Sequence, residues 1–92
     1  MIRVFLSRKC RKSLAGLTPE QREKAEATLR AVIESFGQPH RHSGTGLRRL
    51  SGEYYECRID LSLRLVLLHR QDNLLAYDVM TLDEVLAFLR NA

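Results

Sequence analysis

A chain of 92 residues makes one domain, spanning 1–92, and a chain this short buries only about two-thirds of the surface its unfolded form exposes. Apolar residues make up 45% of the sequence and prolines number two, which excludes a disordered chain and predicts a packed core. No run reaches the roughly 18 apolar residues of a membrane span, and Met1 to Leu6 alternates like a strand rather than like a signal peptide. The expected setting is therefore cytoplasmic. The net charge of +4 is unevenly spread: residues 1–70 carry fourteen Lys and Arg against seven Asp and Glu, whereas 71–92 carry one against four. A basic body with an acidic C-terminal end points to a polyanion or to an acidic protein as partner, beside the plainer role of keeping the chain soluble.

In chain order, Ile2, Val4 and Leu6 recur with the strand period of two, and Phe5 between them predicts that both faces are covered. Ser7 then caps a short helix with Cys10, Leu14 and Leu17 on one side. Arg8, Lys9, Arg11 and Lys12 load its first turns with positive charge, against the preference of the helix dipole. Thr18-Pro19-Glu20-Gln21 starts a second helix, with Thr18 and Gln21 spaced as a capping box and Pro19 at the first turn. Its apolar stripe runs through Ala25, Leu29, Val32, Ile33 and Phe36, and Gly37 and Pro39 end it.

His40 to Gly46 reads as a polar loop. Beyond it the period changes to strands at Leu47–Ser51, Glu53–Asp60, Leu63–His69 and Leu74–Met80, with turns at Gly52, Leu61-Ser62 and Gln71-Asp72-Asn73. Val85, Leu86 and Leu89 mark a final short helix. The predicted order is β-α-α-β-β-β-β-α. This is an α+β fold in which two N-terminal helices pack on a twisted antiparallel sheet.

Arg64 is the most telling residue, because a guanidinium within the apolar run Leu63–Leu68 is unfavourable unless it is paired or lines a wet cavity. Arg58 lies six residues earlier across a short turn. An odd turn would set the two arginines side by side, where like charges repel and a bound phosphate would relieve them. The competing explanation is an ion-pair network with Glu56 or Asp60. Arg48 and Arg49 extend the basic surface, and on a strand only one of them can join the same face. Tyr54 and Tyr55 offer one ring to the core and one to a base. His40 and His42 fall in the loop and His69 at a strand end, and a His-x-His pair without a third ligand carries little weight for metal. Cys10 and Cys57 have no close-spaced partner and read as small buried apolar residues. Neither a metal nor another cofactor is expected.

The stretches Leu47-Arg48-Arg49-Leu50-Ser51-Gly52, Tyr55-Glu56-Cys57-Arg58-Ile59 and Leu63-Arg64-Leu65-Val66-Leu67 together resemble the sheet core of RelE/ParE toxins of type II toxin–antitoxin systems. Arg58 and Arg64 look most like the YafQ branch in their spacing. The resemblance implies a ribosome-associated endoribonuclease that cuts translated mRNA, held in check by an acidic antitoxin. It assigns Arg58 and Arg64 to the scissile phosphate, and Arg48, Arg49, Tyr54 and Phe88 to RNA. Nuclease members usually carry a His, Arg or Tyr after the last strand. Here the region reads Thr81-Leu82-Asp83-Glu84-Val85-Leu86-Ala87-Phe88, which leaves Asp83 or Glu84 as substitutes for the acid. The alternatives are a ParE-like toxin that acts on gyrase by binding alone, or a relative that has lost its activity.

Overall fold

The computed structural model describes residues 2–91. The element order is β1 (Arg3–Leu6), α1 (Arg8–Ala15), α2 (Pro19–Ser35), α3 (Pro39–Thr45), β2 (Leu47–Ser51), β3 (Tyr54–Arg58), β4 (Leu63–Arg70), β5 (Asn73–Thr81) and α4 (Leu82–Asn91). The five strands form one sheet in the order β1-β5-β4-β3-β2.

The α+β class and the sequential meander β2 to β5 agree with the sequence reading, and the meander is antiparallel throughout. The sheet as a whole is mixed, because β1 runs parallel to β5, with Val4 beside Leu74 and Leu6 beside Ala76. Three helices intervene between β1 and the meander, so the chain can return in either sense, and alternation within β1 carries no information about its neighbour.

Phe5 departs from expectation. It is 51% exposed at an edge strand, and only Val4 and its even-numbered neighbours pack on the core.

Ser7 accepts a hydrogen bond from the Cys10 amide (2.9 Å) and so caps α1. Thr18 and Gln21 make both bonds of the capping box at the start of α2. The predicted polar loop after α2 is instead helix α3. Phe36 and Gly37 (φ 91°) break the backbone, and Pro39, expected only to stop α2, occupies the first turn of the next helix, where its fixed φ and missing N–H do no harm. Thr45 anchors α3 by donating to the buried Ser35 hydroxyl at 3.1 Å. Gly46, with φ 84°, ends it.

Each side of the sheet buries its own core. On one side Cys57, Leu63, Leu65, Leu67, Leu74 and Ala76 pack with Cys10 and Val32 from the N-terminal helices. Burial pushes the thiols of Cys10 and Cys57 up to about 11, so both remain inert at neutral pH. On the other side α4 covers only part of the sheet, through Val66, Met80 and Val85 with Tyr54, Tyr77, Phe88 and Leu89 around them.

This division predicts two outcomes. Leu65→Ala, at a position 1% exposed, should lower stability by about 2–5 kcal/mol. Phe5→Ala should lower it by less than about 1 kcal/mol. Urea denaturation of both variants measures the contrast.

Candidate functional site

The partly covered side of the sheet holds the charged residues. Along β3 the alternation places Tyr54, Glu56 and Arg58 on this side, and their partners across β4 are Leu68, Val66 and Arg64. Arg58 and Arg64 are therefore directly opposite, as an odd turn requires. Asp60 shapes that turn: its carboxylate accepts from the amides of Ser62 (2.9 Å) and Leu63 (2.8 Å). Those bonds, the Ser62 amide foremost, hold the Asp60 carboxyl below its ordinary range. The Asp60 carbonyl in turn accepts from the Arg64 guanidinium at 2.7 Å.

Arg48 on β2 is paired in register with Glu56, and its Nε donates to Glu56 Oε2. The Glu56 side chain is 5% exposed. Its other oxygen, Oε1, has no hydrogen-bond donor among the described residues, and Arg64 Nε stands 3.8 Å away. Arg48, Glu56, Arg58 and Arg64 line a cavity of about 200 Å³ with Gly46 and Leu82. The glycine suits its place because its φ of 84° is positive, a conformation that side chains rarely adopt.

The ion-pair network weighed against a phosphate site is thus present in part. Glu56 pairs with Arg48 and faces Arg64, yet among the described residues Arg58 has no carboxylate within ion-pair distance. The sequence reading treated Glu56 only as a neutralising charge. Its buried, half-satisfied carboxylate is the residue that reading missed, and nothing in the alternation of β3 separates it from an ordinary solvent-facing glutamate.

The remaining candidates divide. Arg49 lies on the opposite side of the sheet from Arg48, and its guanidinium donates to the Gly52 carbonyl at 2.7 Å. Glu84 closes a capping box with Thr81 at the start of α4, so its carboxylate is engaged at a helix end. Asp83 is exposed beside it and lines neither this cavity nor the larger one nearby. Tyr54 and Phe88 meet edge to face with centroids 4.9 Å apart, and both line that larger cavity. His42 and His69 pack on Phe36, on the far side of the sheet. Among the described residues no three His, Cys, Asp or Glu side chains gather as a metal site, and no helix is long and apolar enough to cross a membrane.

No protein-family model matches the sequence, and no curated protein matches it. Solved structures do. A YoeB/ParE toxin from Agrobacterium tumefaciens superposes with a TM-score of 0.65 at 16% identity, covering 87% of this chain and 98% of that one. A chain of the RelB–RelE antitoxin–toxin complex from Methanococcus jannaschii gives 0.63 at 12% identity, covering 91% and 96%. YafQ from E. coli gives 0.59 at 12% identity, covering 92% and 98%.

The chain shares the fold of these toxin structures. The sheet segments that carry the sequence resemblance are β2, β3 and β4 of this RelE-like fold, the strands that build the arginine cavity.

The Arg58–Arg64 pairing makes a prediction about stability. Like charges directly opposite destabilise a strand pair by roughly 0.2–1 kcal/mol, so Arg58→Thr should stabilise the protein by about that amount in low salt. The gain should shrink as salt screens the repulsion. Thermal melts at two ionic strengths check it.

Proposed function

We propose that this protein is the toxin of a type II toxin–antitoxin pair and acts as an endoribonuclease on translated mRNA at the ribosome. The observation that carries this reading is the convergence of Arg48, Arg58 and Arg64 around the buried carboxylate of Glu56. Two arginines opposed across a strand pair are mutually unfavourable until an anion lies between them, and a phosphodiester fits their planar donors. In this reading Arg58 and Arg64 hold the scissile phosphate and stabilise the charge that develops on it. Glu56 Oε1 accepts the proton of the adjacent 2′-hydroxyl, whose oxygen attacks phosphorus as the bond to the 5′-oxygen breaks. The products are a 2′,3′-cyclic phosphate and a 5′-hydroxyl, whose proton comes from solvent. Arg48 positions Glu56.

A second reading is favoured by one feature. Apart from Glu56, no carboxylate or histidine among the described residues lines this cavity, and Glu84 is engaged in its capping box. A ParE-like toxin, which acts by binding a protein target, needs no proton donor. In both readings the partner is an acidic antitoxin segment that folds over the arginines. Its presence is supported by the basic body of the chain and by the antitoxin–toxin complex among the fold neighbours.

Induction of the protein should arrest growth and produce discrete cuts in a translated mRNA, mapped by primer extension. Arg64→Ala should lower cleavage by about a hundredfold or more, as the loss of one such donor commonly does. Co-expression with an adjacent acidic reading frame should yield a tight complex and relieve the arrest. Arrest without mRNA cuts would move the assignment to the protein-binding reading.

A further inference from the structure

The larger cavity on the same side of the sheet, about 660 Å³, lies between β3, β5, α1 and α4. Tyr54, Tyr77, Asp78 and Phe88 line it, with Lys9 at the rim. A bulge in β5 makes it. Val66 pairs with Asp78 but Leu67 pairs with Ala76, so Tyr77 is the extra residue, and Tyr77 and Asp78 both border one cavity instead of pointing to opposite faces.

Asp78 is the unusual feature. Its side chain is 9% exposed. Oδ1 is fully occupied, accepting from the Ser13 hydroxyl at 2.5 Å and from the Val79 amide at 2.8 Å. Oδ2 receives no hydrogen bond from the described residues, and its partner is the Lys9 ammonium, in a long ion pair at 3.8 Å. The carboxylate is thus pinned by one oxygen, while the other, held only by this ion pair to a flexible side chain, can accept a hydrogen bond from a ligand. One wall is a cluster of contacting rings, Tyr77 and Phe88 with centroids 5.5 Å apart and tilted by 46°, and Tyr54 edge to face with Phe88. Lys9 lies over the Tyr77 ring at 5.4 Å on a flexible stem, with its side chain 63% exposed.

We propose that this cavity is a nucleobase pocket for single-stranded RNA that selects bases bearing an exocyclic amine, with Asp78 Oδ2 accepting from the amine and the base packing against the Tyr77–Phe88 ring pair. Cytosine and adenine present such a donor, and guanine carries one at N2, whereas uracil has no exocyclic amine and presents a carbonyl oxygen, which the carboxylate repels. Lys9 swings from the rim to a neighbouring phosphate. Tyr54 stands two residues, or about 7 Å, along β3 from Glu56, so a strand held at the arginines lays an adjacent base in this pocket. The inference rests on the RNA reading above and names the base that reading leaves open.

The test uses the full-length protein and tetraribonucleotides of A, C and U, followed by NMR shifts of Tyr54, Tyr77 and Phe88. Oligo(A) and oligo(C) should shift these resonances and bind about tenfold or more tighter than oligo(U), the effect of one hydrogen bond to a charged acceptor. In Asp78→Asn the amide oxygen keeps the Ser13 and Val79 bonds and the NH2 faces the cavity, so the preference should reverse toward oligo(U). Circular dichroism establishes that the variant is folded, and if it is not, the wild-type comparison decides alone. Equal binding of all three oligomers, or shifts confined to residues around Arg58 and Arg64, would overturn the pocket while leaving the arginine site intact. Absence of shifts at both cavities would overturn both.

Discussion

The placement of Arg58 opposite Arg64 is the constraint on which the rest of this molecule turns. A sheet that served only stability would pair one of them with an acid or replace it with a branched apolar residue. Here the tight turn held by Asp60 fixes the register, and Gly46 borders the cavity at the end of α3. Glu56 offsets part of the charge from beneath, engaging Arg48 and facing Arg64, but it leaves one oxygen of its own without a donor among the described residues. Neither the cations nor the carboxylate are fully satisfied by the protein. Incomplete satisfaction of buried polar groups is unfavourable for folding and marks a place built for something else.

The two cores explain how so small a chain tolerates this. The N-terminal helices and one sheet face form a continuous apolar cluster around Leu65, Leu67 and Val32, which supplies most of the burial. The other face is only partly roofed by α4, and the two cavities flank that short helix, with Leu82 bordering one and Glu84, Ala87 and Phe88 the other. Stability and recognition are thereby separated across the thickness of one sheet. The basic first turns of α1 also find a reason in this arrangement, since Lys9 reaches the open side and stands over Tyr77 near Asp78.

Much of this was legible in the sequence. Alternation in β1 and β3 and the apolar run of β4 marked strands, the Thr18 capping box fixed the start of α2, and the six-residue spacing of Arg58 and Arg64 made them neighbours if the turn between them was odd. What the pattern could not carry was long-range or cooperative. The parallel pairing of β1 depends on how three helices return the chain. Helix α3 has no apolar stripe and is held by the Thr45–Ser35 bond, so its composition resembles a loop. The bulge at Tyr77 is a matter of register between β4 and β5, invisible within either strand, and without it Asp78 is only one more acidic residue in an acidic tail. Glu84 looked available for chemistry because capping boxes use the same residues as active sites.

The central claim, that the Arg58–Arg64 face binds an RNA phosphate, is tested most directly by the salt dependence of affinity for an RNA with a 2′-deoxy nucleotide at the cut site, which binds without being cleaved. Removing one cation from a phosphate should reduce the slope of log affinity against log salt by about 0.7 on a single strand. Arg58→Ala should reduce it by that amount, while Arg49→Ala, on the opposite side of the sheet, should leave it unchanged. Equal slopes for wild type and Arg58→Ala, or an equal reduction in both variants, would contradict the account.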